Sequence, residues 1–129
     1  MIVGVLFVLL ACSGGDDTGA SPVEPGFDEI QFIFDRNCTG TCHAGDAPFE
    51  GLVLTDAAAW DALVGVPSVQ VPSLMRVAPG DAESSYLLHK LRGTHVSVGG
   101  SGNAMPPYLV LADTELAQFS AWIDAGAER

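Results

Sequence analysis

Positive charge is what this chain has least of. Five Lys and Arg stand against sixteen Asp and Glu among 129 residues, a formal net charge of −11. A basic face that could neutralise phosphates is missing, which excludes nucleic-acid binding. Cysteine is also scarce, with three residues at positions 12, 38 and 42. That is too few for a disulfide framework. No second Cys or His pair stands along the chain to complete the four ligands of a zinc site. No segment repeats, so each motif occurs once. No apolar run reaches the roughly 20 residues that a bilayer-spanning helix takes. The length suits one small domain rather than two. The excess acid fits either the steering of a basic partner or the solubility of an exported chain.

The longest apolar run, Met1 to Leu10, fits the hydrophobic part of a secretory signal. It ends in Leu9-Leu10-Ala11-Cys12, which resembles the cleavage box of bacterial lipoproteins. The resemblance implies cleavage before Cys12 and lipidation of that new N-terminal cysteine, each buried methylene adding about 0.8 kcal/mol of membrane affinity. No Lys or Arg precedes the run, so either the true start lies upstream of Met1 or the signal is a weak one. Ser13, next to the lipidated position, favours the outer membrane in lipoproteins of Gram-negative bacteria. Residues 12–26 are rich in Gly, Ser, Asp and Pro and read as a flexible tether. The expected organisation is a signal over 1–11, a tether over 12–26 and a folded domain over 27–129.

The most informative stretch of that domain is Cys38-Thr39-Gly40-Thr41-Cys42-His43. It resembles the attachment site of a c-type haem, where two thiols add to the porphyrin vinyl groups and the adjacent histidine binds the iron. The usual motif has two residues between the cysteines, and here there are three. On a helix, three steps turn the chain roughly 300° and four roughly 400°, so either spacing returns both sulfurs to about the same face. Gly40 is expected to absorb the extra residue, being the least hindered position. Far downstream, Met105-Pro106-Pro107 sets a thioether before two rigid prolines, as a second axial iron ligand requires.

Hydrophobic spacing places helices around these motifs. Phe27, Ile30, Ile33 and Phe34 predict a first helix leading into the cysteines, with Asp28 and Glu29 in its first turn. Residues 44–50 read as loop and Leu52-Val53-Leu54 as a short extended piece. Thr55 or Asp56 can cap a second helix to about Val64, closed by Gly65. Residues 66–78 read as irregular. A third helix is expected from about Glu83 to Leu91, burying Leu87, Leu88 and Leu91 and ending at Gly93. Residues 94–109, with their glycines and prolines, predict no regular structure. Ala112 or Asp113 starts the last helix, with Leu116, Phe119, Trp122 and Ile123 on its inner face. The fold class is therefore all-α, with three to five helices and long loops. A domain of this size is marginal from its own core, and a bound macrocycle would give the loops something to wrap.

The order of parts resembles small class I cytochromes c, in particular the cytochrome c-like domains of exported bacterial lipoproteins. The residues that carry the likeness are Cys38, Cys42 and His43, then Arg76-Val77-Ala78-Pro79-Gly80-Asp81 with Ser85-Tyr86-Leu87, then Met105-Pro106-Pro107, then Trp122-Ile123 and Gly126-Ala127. The resemblance implies one haem c, thioether bonds from Cys38 and Cys42, and iron ligation by His43 and Met105. It implies an electron carrier rather than an enzyme, facing the periplasm and anchored through Cys12, with redox partner proteins that the sequence does not name. Met75 and His95 are the rivals of Met105 as a ligand, and Arg76, Tyr86 and Trp60 are candidates to meet the haem carboxylates or ring. His89 reads as a surface or half-buried residue. Two other accounts stand beside this one: a Cys38–Cys42 disulfide, and a haemless interaction module that keeps the fold. Peroxidase-like catalysis ranks last, because a held methionine blocks the iron. A Cys12→Ser variant is expected to leave the membrane fraction and appear soluble; retention on membranes after that change would rule out lipid at this position.

Overall fold

The computed structural model describes residues 24–129. The signal, Cys12, Ser13 and nearly all of the tether lie outside the described residues. Within them the chain is helical, with four α-helices and no strand. The helices are α1 (Phe27–Asn37), α2 (Ala59–Leu63), α3 (Tyr86–Arg92) and α4 (Asp113–Asp124). Two isolated bridges, Val64 with Val77 and Pro67 with Met75, fold the 64–77 loop on itself. Among the described residues, no helix is long and apolar enough to cross a membrane.

The core is where α4 lies against both α1 and α3. Phe27, Ile30, Ile33 and Phe34 of α1 are all buried, as their helical spacing requires. They meet Phe119, Trp122 and Ile123 of α4. Two tilted aromatic pairs join the helices: Phe27 with Trp122 at 5.5 Å between ring centroids, and Phe34 with Phe119 at 5.3 Å. Such pairs contribute about 0.5–1.5 kcal/mol each beyond the area they bury. The starts of α1 and α4 are each tied by a carboxylate three residues in. Glu29 accepts the Gly26 N–H at 2.9 Å and Glu115 accepts the Ala112 N–H at 3.0 Å, satisfying donors that a helix leaves orphaned. Glu115 also pairs with Arg36 at the far end of α1.

The chain end is fixed by two indoles. Trp60 Nε1 donates to the Ala127 carbonyl at 2.8 Å, and Trp122 Nε1 donates to the Glu128 carbonyl at 2.7 Å. Trp60 therefore serves α2 and the C-terminus.

Local hydrogen bonds trim two expected helices. The third begins at Tyr86 instead of Glu83 because side chains occupy the turn before it. Asp81 accepts the Ser84 N–H at 3.0 Å, while Ser85 Oγ donates to the Asp81 carbonyl and accepts the Ala78 N–H. This alternative to the helical ladder is what Asp and Ser offer. The second helix begins at Ala59 because the Thr55 carbonyl takes both the Ala58 and Ala59 N–H groups in one tight turn. Short 3-10 turns at Phe49–Gly51 and His95–Val98 replace expected irregular loop. The second of these sits between Gly93 and Gly99, at φ of 72° and 93°, so the loop doubles back on α3.

A Phe119→Ala change is expected to cost about 3–5 kcal/mol of unfolding free energy, read by urea titration; a cost under about 1 kcal/mol would show that the α1–α4 contact is not the centre of the core.

Candidate cofactor-binding site

The motif begins where α1 ends. Cys38 and Thr39 both direct their N–H groups to the Phe34 carbonyl, at 2.7 and 3.1 Å. The chain then turns, and the His43 N–H reaches the Cys38 carbonyl at 3.1 Å. That bond spans five residues, one more than an α-helical bond. The longer gap between the cysteines is thus taken up by a widened turn beyond the helix. Gly40 is not what permits it. Its φ lies outside the left-handed region, and a Cβ built there meets nothing within 4 Å. The expectation that glycine freedom absorbs the extra residue is corrected accordingly.

His43 is held on three sides. Its N–H is bonded as above, its carbonyl takes the Leu54 N–H at 2.8 Å, and its Nδ1 lies 3.0 Å from the Leu52 carbonyl. A carbonyl only accepts, so Nδ1 carries a proton, and in the neutral ring the lone pair is then on Nε2. The residue is 8% exposed and lines a cavity of about 460 Å³. Cys38, Cys42 and Met105 line the same cavity. Its wall is mostly apolar, with Phe34, Leu54, Leu63, Leu87 and Leu91 contributed by α1, α2, α3 and the loops. The volume falls in the range of about 300–1,000 Å³ usual for small-molecule and cofactor sites.

Cys38 and Cys42 are free thiols, with no disulfide between them. Burial pushes the Cys38 thiol up to about 11, and the charge of Cys42 beside it adds to the effect. Met105 is half-buried, and its N–H donates to the Lys90 carbonyl at 2.9 Å, which sets the start of the Met-Pro-Pro segment against α3.

The cations sort themselves by location. Arg36, Arg92 and Arg129 each pair with a carboxylate: Glu115, Glu83 and Asp61. The other two, Arg76 and Lys90, have no carboxylate within 4.0 Å among the described residues, and both line the cavity. Arg76 Nη1 donates to the Ala62 carbonyl at 2.8 Å. Lys90 Nζ donates to the carbonyls of Asn103 at 2.6 Å and Ser101 at 3.2 Å. Burial lowers the Lys90 pKa, and Glu50, another cavity residue, partly offsets this. Tyr86 lines the cavity too, with its hydroxyl bonded to Gln70.

Several residues weighed from the sequence are not brought there. Met75 is 45% exposed and off the cavity. His95 is buried, with Nε2 at 2.9 Å from the Gly102 carbonyl, so its ring supports the loop. His89 is half-buried and bonds Thr94 Oγ1 at 2.9 Å. Sequence reasoning missed Lys90 and Gln70. Nothing in the spacing marks either one, and only the pairing of the other cations singles out Lys90. Among the described residues, no three His, Cys, Asp or Glu side chains gather to hold a bare metal ion. No protein family, curated protein or solved structure matches the chain.

In the folded protein with both thiols free, Cys38 is expected to alkylate slowly at neutral pH, with a rate that keeps rising until the pH approaches about 11, because the thiolate is the nucleophile. Site-resolved mass spectrometry across pH checks this; a plateau near the ordinary thiol value of about 8.5 would contradict it.

Proposed function

We propose that this protein is a monohaem c-type electron carrier with a class I cytochrome c-like fold, exported and anchored through lipid on Cys12. The carrying observation is the His43 ring. A buried imidazole has its Nδ1–H committed to the Leu52 carbonyl, which leaves Nε2 as a bare acceptor on an apolar cavity. That is the state in which a histidine binds iron, and the second bond fixes both tautomer and orientation.

Three further features support the fit. Cys38 and Cys42 line the cavity that His43 lines, so thiols and imidazole face one ligand volume. Met105 lines it as well, and a His/Met pair is the ligand set of a haem whose potential is raised. Two protein ligands are too few for a bare ion, yet they are the number a metal needs when a macrocycle fills its other positions. Arg76, which has no carboxylate within 4.0 Å among the described residues, supplies positive charge to that volume, which suits an apolar ligand that also bears carboxylates. When bound, haem would supply a one-electron couple between ferrous and ferric iron. The chain's own part is to hold it by Cys38 and Cys42, ligate it through His43 and Met105, and shield it with the apolar wall.

The excess of acid suits a basic redox partner, steered by charge. Ser13 favours the outer membrane weakly over the inner one. The haemless interaction module remains the second account, favoured by the widened cysteine gap; it leaves the bare Nε2 without a role.

Protein made in a host with haem-ligation machinery is expected to show a sharp reduced α-band and a denatured mass raised by one haem. Folded protein that stays colourless there sinks the proposal. Met105→Ala should lower the midpoint potential by about 0.1 V or more, a fraction of the roughly 0.8 V that axial ligands span; an unchanged potential removes Met105 from the ligand set.

A further inference from the structure

We propose that Lys90 is the positioning residue for Met105: its side chain holds the 101–105 loop against α3, and so decides whether the thioether is presented to the cavity. The ligand role of Met105 rests on the function proposed above, but the hold on the loop does not.

The loop cannot hold itself. It reads Gly99-Gly100-Ser101-Gly102-Asn103, so three of five positions have no side chain. Gly99 and Gly102 sit at φ of 93° and 74°, where other residues are strained. Its order is imposed by neighbours, and Lys90 is the most connected of them. The ammonium donates to the Asn103 carbonyl at 2.6 Å and the Ser101 carbonyl at 3.2 Å, while the Lys90 carbonyl accepts the Met105 N–H at 2.9 Å. One residue on a rigid helix thus grips the loop at three points over five positions. Gln70 adds a weaker tie, accepting the Ser101 N–H at 3.2 Å, and the His95 ring adds another at Gly102.

The two Lys90 donors are charge-assisted bonds, stronger than neutral ones. No carboxylate lies within 4.0 Å of this ammonium among the described residues, so no ion pair competes for it. Gly100 shows how closely the loop is drawn in: a Cβ there would lie 2.8 Å from the His95 carbonyl.

The test compares wild type with Lys90→Leu, which keeps an apolar stem without a donor, and Lys90→Arg, which restores the charge and donors. In haem-free protein, amide exchange over residues 101–105 should speed up roughly 10-fold or more in Lys90→Leu, the scale of losing about 1.5–3 kcal/mol of charged hydrogen bonding. Exchange in α1 and α4 should stay as in wild type, which reports that the fold is intact. In haem-loaded protein, Lys90→Leu should weaken the methionine–iron absorption band and lower the potential, with recovery of both in Lys90→Arg. Unchanged exchange in the loop overturns the hold. Faster exchange with an unchanged band and potential overturns the positioning of Met105. A wild type that takes up no haem defeats the functional proposal separately, and the exchange measurement then decides the role of Lys90 on its own.

Discussion

Phe34 is the residue on which the arrangement turns. Its ring packs on Phe119 in the α1–α4 crossing, its carbonyl receives the N–H groups of Cys38 and Thr39, and its side chain forms part of the cavity wall. One buried residue therefore links the core, the end of α1 and the ligand volume. The motif needs this because its own residues are small and polar and bury little. Their position is inherited from the helix end, and the helix end is fixed by aromatic packing. Interiors are packed too closely to shift by small amounts, so the inheritance is strict.

The cavity is large for so small a domain. A core of this size closes on a narrow margin. The chain surrounds that volume with tethers in place of extra core. Trp60 and Trp122 tie down the C-terminus, His43 ties the turn to Leu52, and Lys90 with Gln70 ties the glycine-rich loop. Each bond joins a loop to a helix or to another loop. Structure that a helix ladder cannot supply is supplied by single side chains reaching backbone groups.

Charge follows the same division. In a chain with a net charge of −11, two of five cations line the cavity without carboxylate partners among the described residues. Half-buried positive charge is costly to keep unless it is hydrogen-bonded, and both cations donate to backbone carbonyls.

Much of the fold was legible along the chain, because it depends on periodicity. The spacing of Phe27, Ile30, Ile33 and Phe34, and of Phe119, Trp122 and Ile123, marks the two core helices and their inner faces. Helix starts were legible where caps are local and illegible where Asp81 and Ser85 spend their side chains on a turn. Of the site, the motif itself and the rigid methionine stand out by residue type and spacing. Residue types alone say which groups are chemically able to serve: two thiols, an imidazole and a thioether. Folding brings them to one cavity, sets the His43 ring against Leu52, and places Lys90 where it steadies the methionine loop. Those are contacts between segments far apart in the chain, and no local pattern carries them.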